Sequence, residues 1–265
     1  MALLTVEHLS VVYPHEGGTV RAVDGVSFGI DPGEIVALVG ESGSGKSSAA
    51  LALTRLLPPR AAVSGTVLLN GGSLLDAPEE TLRAVRGGKI AYVFQDPASS
   101  LNPVLTIGEQ LTETVVLHTA SRGAGAARIA VQWLARVGIP SAGERLAAYP
   151  HEFSGGMQQR VCLAMALAAN PALLIADEPT TALDVTVQVQ ILRLIRDLQR
   201  QLGLSVLLIS HDLTVVERLA HRLGVMRRGR LVEWGPVGQV LNKPAHPYTQ
   251  ELLRARPTTI LRRNR

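Results

Sequence analysis

The chain has 265 residues, a formal net charge of +4 and 46% hydrophobic but only 3% aromatic residues. This length accommodates one large domain or two small ones, and an aliphatic core of this kind favours a globular α/β protein. The single cysteine, Cys162, excludes an internal disulfide and a cysteine-only metal cluster.

The most apolar segment, 161–176, is broken by Asn170 and Pro171 and is too short to span a bilayer. The N-terminus does not resemble a signal peptide. We therefore expect a cytosolic protein without a membrane span of its own.

Three strands are predicted in the first 40 residues. Alternating apolar and polar residues indicate strands at 3–13 and 20–30 with a polar turn between them. A continuous apolar strand, 34–39, follows the turn at 31–33. That strand leads into a glycine-rich segment and then into a helix-forming segment, 48–57.

The glycine-rich segment, residues 40–47, matches the pattern G-x-x-x-x-G-K-[ST]; we call it the phosphate loop. Its residues, with the first one after it, are Gly40, Glu41, Ser42, Gly43, Ser44, Gly45, Lys46, Ser47 and Ser48. Glycines allow successive backbone N–H groups to point inward and cradle an anion, and the helix start adds further donors. We therefore predict a nucleotide site in which Lys46 reaches the terminal phosphates and Ser47 ligates Mg²⁺.

Two more side chains are candidates for this site. An aromatic ring can stack on a base, which suggests that Tyr13 contacts adenine; the alternative is a strand residue packed on the sheet. Gln95 ends a predicted strand, 89–94, so its amide can reach both Mg²⁺ and an attacking water. Residues 96–103 are predicted to form a loop, whereas 106–148 has a helical pattern that indicates an inserted helical subdomain.

A second glycine-rich helix start follows this helical region; we call residues 153–157 the signature segment. Its residues are Phe153, Ser154, Gly155, Gly156 and Met157. A serine and two glycines at a helix start offer free N–H donors and a hydroxyl without bulk, which suits a phosphate. Because one nucleotide does not need two such sites, this segment is predicted to serve a nucleotide held by another subunit.

A buried strand, 172–176, delivers two carboxylates to the predicted ligand edge of the sheet. Asp177 fits the Mg²⁺ shell, and Glu178 fits a general base for the attacking water. A further buried strand, 204–209, ends shortly before His211, which is predicted to hydrogen-bond the γ-phosphate. The other histidines show no metal-ligand spacing.

The C-terminal part is predicted to contain strands at 223–226 and 230–234 and a short helix at 237–241. Residues 261–265 are strongly basic, which is compatible with nucleic acid or an anionic membrane surface as a ligand. The alternative is a solvated tail.

Taken in order, these motifs resemble the nucleotide-binding subunits of ABC transporters over nearly the whole chain. The segments at 94–97, 100–103, 149–157 and 246–249 are similar to the oligopeptide, dipeptide and nickel importer branch. The resemblance implies a P-loop, RecA-like α/β core with a mixed sheet, an N-terminal antiparallel β region and an inserted α-helical subdomain. It divides the chain into an ATPase domain at 1–255, with the insertion at about 98–165, and a basic tail at 256–265.

The resemblance also implies a mechanism and partners. Two ATPase subunits, commonly different chains, sandwich two ATP molecules with Mg²⁺, and each site joins the phosphate loop of one subunit to the signature segment of the other. Asp184 is expected to cross this interface, with Arg160 near it. Two permeases, contacted through residues 95–109, and an external solute-binding protein complete the importer on the cytoplasmic face of the membrane.

The resemblance is compatible with two substrate classes, and two other functions are alternatives. Peptides and nickel or other metal chelates both fit the branch, and a short C-terminal part without cluster-binding cysteines resembles the nickel type. One alternative is a soluble ABC-type ATPase that acts on nucleic acid or ribosomes, suggested by the sequence pI of about 9.6. Another is a nucleotide-binding but inactive partner subunit.

Overall fold

The computed structural model describes residues 2–181 and 183–255. Its strands are β1 (Leu4–His15), β2 (Gly18–Ile30), β3 (Ile35–Val39), β4 (Ala62–Leu69), β5 (Gly72–Ser73), β6 (Ile90–Val93), β7 (Leu173–Asp177), β8 (Ser205–Ile209), β9 (Arg222–Arg227) and β10 (Arg230–Pro236).

The helices follow the same chain order. They are α1 (Lys46–Leu53), α2 (Glu79–Val85), α3 (Pro97–Ser100), α4 (Ile107–His118), α5 (Gly123–Arg136), α6 (Ala142–Arg145), α7 (Gly155–Ala168), α8 (Val185–Leu202), α9 (Leu213–Leu219), α10 (Val237–Asn242) and α11 (Pro247–Arg254), with a 3₁₀ turn at Pro150–Glu152.

The central sheet has six strands in the order β10-β9-β3-β8-β7-β6. Strands β3, β8, β7 and β6 run parallel to one another, and β9 is parallel to β3. Every residue of β3, β7 and β8 is buried, as expected for parallel strands covered on both faces. The carboxyl ends of these strands therefore meet at one edge of the sheet, and the candidate site lies there.

A second, antiparallel sheet has the order β2-β1-β4-β5. Its buried face and one face of the central sheet enclose α1 in a common hydrophobic core, which includes Leu9, Val36, Leu38 and Ala50. The contact between the two sheets fixes the direction in which α1 leaves the phosphate loop.

Helices α3 to α7 lie between β6 and β7 in the chain and form the predicted helical region. Helix α4 starts at a capping box in which Thr106 accepts from the Glu109 backbone N–H and the Glu109 carboxylate accepts from the Thr106 backbone N–H. Leu111, Leu134 and Leu163 are fully buried between α4, α5 and α7. The boundaries of this subdomain remain a prediction.

Three local predictions were wrong or incomplete. Residues 97–100, predicted as loop, form a short helix because the Asp96 carboxylate caps the Ala98 N–H. The sequence patterns did not predict α9, capped by Asp212, or α11, capped by His246.

The basic residues 261–265 lie outside the described residues. Within the described ranges, no helix combines the length and apolarity needed to cross a bilayer.

The core of the helical region can be tested with one matched pair of variants in α4. Leu111 is fully buried and Leu117 is 69% exposed. Leu111→Ala removes buried volume and should lower the free energy of unfolding by about 2–5 kcal/mol, whereas Leu117→Ala should change it by less than about 0.5 kcal/mol. Chemical denaturation followed by circular dichroism measures both. Equal effects of the two substitutions would contradict this packing of α4.

Candidate functional site

The phosphate loop is shaped by backbone contacts that exclude side chains at two glycines. Gly40 has φ of +153°, and a Cβ there would lie 2.2 Å from the Met226 carbonyl oxygen. Gly45 has φ of +101°, and a Cβ there would lie 2.2 Å from the Ala22 carbonyl oxygen. Only glycine satisfies both the conformation and the space. The loop is thus held between β9 and β2 at the start of α1.

Lys46 lies inside the loop and is almost fully buried. Its ammonium group donates to the carbonyl oxygens of Gly40 at 2.8 Å and Glu41 at 2.9 Å. Burial lowers the pKa of Lys46, and the nearby carboxylates of Glu178 and Asp177 partly offset this. A buried cation among backbone N–H donors is suited to bind the terminal phosphates of a nucleotide.

Asp177 ends β7 with its carboxylate buried beneath the loop. The Tyr92 hydroxyl donates to Oδ2 at 3.0 Å, whereas Oδ1 is buried without a hydrogen bond of ordinary geometry. Burial raises the pKa of Asp177, and the neighbouring Ser47 and Tyr92 hydroxyls partly offset the rise. An unpaired buried carboxylate oxygen beside the Ser47 hydroxyl fits the oxygen ligands that Mg²⁺ prefers.

Glu178 follows directly and is held in the left-handed region at φ of +46°, a conformation that costs a non-glycine residue about 1 kcal/mol or more. Its Oε2 accepts from the Thr181 hydroxyl at 2.9 Å and from the Gln95 amide at 3.3 Å. Its Oε1 lies 3.2 Å from His211 Nδ1. The carboxylate is therefore oriented by three side chains from three separate segments.

Lys46, Glu178 and the side chains around Glu178 line one open pocket of about 690 Å³, whereas Asp177 does not line it. The pocket brings together most of the predicted phosphate, metal and catalytic residues: Ser42, Gly43, Gly45, Lys46, Ser47, Ser48, Gln95, Glu178 and His211. Two lining residues, Ala22 and Thr181, were not predicted. No sequence motif marks Ala22 as a site residue. Thr181 could have been identified because it lies three residues after the predicted base Glu178, close enough in the chain for a hydrogen bond.

Tyr13 lies at the edge of this site without lining the pocket. Its hydroxyl hydrogen-bonds Ser48 Oγ at 3.1 Å, and its side chain is partly buried. This contact ties β1 to the first turn of α1. Base stacking by Tyr13 remains a prediction.

The signature segment does not line the pocket of its own subunit. The Ser154 hydroxyl caps α7 by accepting from the Met157 N–H at 3.4 Å. Gly156 packs on α8, where a Cβ would lie 2.6 Å from Val187 Cγ1. The Phe153 ring is buried beneath the Arg145 guanidinium, so it contributes to the core of the helical region. Asp184 caps α8 through the Val187 N–H at 3.0 Å.

The fold and the site define the class of protein. Residues 23–181 match the family model for ABC transporters. The chain belongs to the ABC transporter family, whose ATPase domain binds nucleotide, and the resemblance noted in the sequence is confirmed.

Curated relatives narrow the branch. The chain is 54% identical over 257 residues to the peptidoglycan transport ATP-binding protein YejF of Agrobacterium fabrum, covering 96% of this chain and 47% of YejF. It is 48% identical over 258 residues to the oligopeptide transport ATP-binding protein OppD of Bacillus subtilis, covering 97% of this chain and 72% of OppD. The chain therefore spans about half the length of its YejF relatives.

Solved structures confirm the fold class. The dimeric, post-hydrolysis state of the ATP-binding cassette MJ0796 bound to ADP and Pi matches with a TM-score of 0.78 at 28% identity, covering 88% of this chain and 98% of that one. CbiO1 of Clostridium perfringens, part of an ABC transporter complex, matches with a TM-score of 0.77 at 28% identity, covering 91% of each chain.

The buried carboxylate of Asp177 makes a prediction about stability and pH. Its folded-state pKa is raised above the ordinary value, so its contribution to stability is fully present below pH of about 4 and is lost as the pH rises and the group ionises. Asp177→Asn should therefore raise the melting temperature at pH 7, and the difference from the parent should grow as the pH rises above about 4.

Thermal melts of the chain without nucleotide or Mg²⁺, recorded across this pH range, measure the effect. Asp197→Asn removes the same charge from an exposed position of α8 and controls for the change in net charge. An Asp177→Asn variant that melts below the parent at pH 7 would show that the carboxylate stabilises the fold.

Proposed function

We propose that this chain is the ATP-hydrolysing subunit of an importer for peptide-containing solutes. The observation that carries the proposal is the Glu178 carboxylate, which faces the phosphate-loop pocket and is oriented by Gln95, Thr181 and His211. Such a group can accept a proton from a water that attacks the γ-phosphate.

The other residues of the pocket divide the remaining tasks. Lys46 and the loop N–H groups bind and orient the β- and γ-phosphates. Ser47, Asp177 and Gln95 would hold Mg²⁺, which neutralises charge on the phosphates when it is bound. His211 contacts the γ-phosphate and also holds Glu178, so one side chain links the presence of that phosphate to the position of the base.

A second subunit is needed because the signature segment lies away from the pocket of its own chain. In the proposed dimer, Ser154 and the N–H groups of α7 contact the nucleotide held by the partner, and Asp184 lies at the interface. The dimeric state of the MJ0796 relative supports this arrangement. The second subunit is proposed to be a paralogous chain, as is common in this branch.

Two permeases and an external solute-binding protein are the remaining proposed partners, with this subunit bound at the cytoplasmic face of the membrane. The relatives are named for peptide, oligopeptide, dipeptide and peptidoglycan transport, which favours peptide-containing solutes over nickel chelates. The same names do not favour the alternative of an ATPase acting on nucleic acid or ribosomes. The intact set of Glu178, Gln95 and His211 argues against an inactive subunit.

Glu178→Gln tests the assignment of the base. The amide keeps the size of the side chain but cannot accept the proton, so MgATP affinity should stay within about twofold while the hydrolysis rate falls by about 10²-fold or more. Single-turnover hydrolysis and equilibrium binding of a fluorescent ATP separate the two quantities. Turnover at the parental rate in Glu178→Gln would exclude Glu178 as the base.

Ser154→Arg tests whether the signature segment acts on a partner's nucleotide. Its bulk should block closure of the dimer, so hydrolysis should fall by about 10²-fold or more, whereas MgATP binding to the isolated subunit should be unchanged. Ser154→Ala removes only the hydroxyl and should have the smaller effect. A loss of MgATP binding by monomeric Ser154→Arg would place the segment in the site of its own chain.

A further inference from the structure

A second concave region lies next to the nucleotide site. Ala22 of β2 lines the nucleotide pocket, and its chain neighbour Arg21 lines another open pocket of about 480 Å³. We call it the basic pocket. Its polar walls are Arg21 and Asp24 of β2, Arg227, Arg228 and Arg230 of the β9–β10 hairpin, and His246 before α11.

The charges in the basic pocket are unbalanced. Asp24 forms ion pairs with Arg21 at 2.8 Å and Arg230 at 2.7 Å, and these two arginine side chains are 61% and 72% exposed. Within the described part of the chain, Arg227 and Arg228 form no ion pair with a carboxylate. Four guanidinium groups and one carboxylate therefore line this open pocket. Guanidinium groups in this arrangement favour a compact oxyanion, and phosphate matches their paired N–H donors.

The turn conformation does not account for the arginine at its centre. Arg228 has φ of +47°, in the left-handed region that glycine, asparagine and aspartate adopt more readily. Its side chain is exposed. A residue that strains the turn and adds charge to an already basic wall suggests a role for that charge.

The β9–β10 hairpin that forms one wall of the basic pocket is connected to the phosphate loop in two ways. The Gly229 N–H of the hairpin donates to the Ser44 carbonyl oxygen at 3.0 Å. In addition, the Arg227 guanidinium lies 4.5 Å from the ring centroid of Tyr248, and the Tyr248 hydroxyl accepts from the Glu41 N–H at 3.3 Å. Tyr248 is almost fully buried, so its position depends on its neighbours.

We propose that the basic pocket binds a phosphate-bearing anion and that the bound anion stabilises the phosphate loop through these two contacts. An anion held by Arg227 and Arg228 restrains the hairpin and the Tyr248 ring, and with them the backbone at Ser44 and Glu41. Free phosphate compounds and the headgroups of acidic lipids share the required chemistry. The site is distinct from the nucleotide pocket and does not depend on hydrolysis.

Calorimetric titration of the full chain with inorganic pyrophosphate, without Mg²⁺, tests the binding. Lys46→Ala should abolish binding at the phosphate loop but leave binding at the basic pocket. In that background, Arg228→Gly removes a charge from a position whose backbone suits glycine and should weaken pyrophosphate binding by about tenfold. Asp24→Asn frees two arginines and should strengthen binding by about threefold or more, which damage to the fold would not produce.

Arg128→Ala, on the exposed face of α5, is the matched control and should have no effect. Co-sedimentation with phosphatidic acid vesicles, against phosphatidylcholine vesicles, distinguishes the sources of phosphate. Retention that Arg228→Gly abolishes identifies a lipid headgroup, and pyrophosphate binding without retention identifies a free anion. The basic pocket is not an anion site if neither pyrophosphate binding nor vesicle retention is weakened by Arg228→Gly and strengthened by Asp24→Asn.

The coupling between the basic pocket and the phosphate loop is measured by the dissociation rate of fluorescent ADP during a chase with unlabelled ADP. Pyrophosphate that merely competes for the nucleotide site does not change this rate. Pyrophosphate should slow this dissociation by about threefold in the parent chain and not in Arg228→Gly or Tyr248→Phe. An unchanged rate in the parent would overturn the coupling. Failure of ADP to bind would count against the proposed function, and the titrations in the Lys46→Ala background would still test the basic pocket.

Discussion

The site depends on close backbone packing around the phosphate loop. The carbonyl oxygens of Met226 and Ala22 approach Gly40 and Gly45 so closely that neither position has room for a Cβ. Met226 lies in the C-terminal hairpin and Ala22 in the N-terminal sheet, about 200 residues apart in the chain. The anion cradle is therefore a product of the whole fold: both sheets must be in place before the loop takes its shape.

Electrostatics at the same edge of the sheet work against stability. Lys46, Asp177 and Glu178 are buried or half-buried close to one another, and burial shifts the pKa of the first two towards their neutral forms. The left-handed backbone at Glu178 adds strain. These costs are typical of sites that are organised for a ligand before it arrives. In the proposed ATP-bound state, the nucleotide and Mg²⁺ would supply the charges that the isolated chain lacks.

Much of this could be predicted from the sequence because local patterns determine it. The apolar runs before Asp177 and His211 mark buried parallel strands, and carboxyl ends of such strands must converge. Thr181 was missed because a short hydroxyl side chain carries no recognisable pattern; only the turn after Glu178 brings it within hydrogen-bond distance. Helix α11 and its contact with Glu41 were missed for a related reason. That contact joins residues 207 positions apart. The spacing of apolar residues along a sequence predicts local helices and strands but not a contact between such distant residues.

Helix α8 begins where Asp184 caps it, and α7 begins where Ser154 caps it. Gly156 lets the first turns of these two helices touch, with Val187 filling the space that a side chain would occupy. The two capped helix starts are therefore in contact. In the proposed dimer, both caps would approach the opposite subunit as neighbours on one surface.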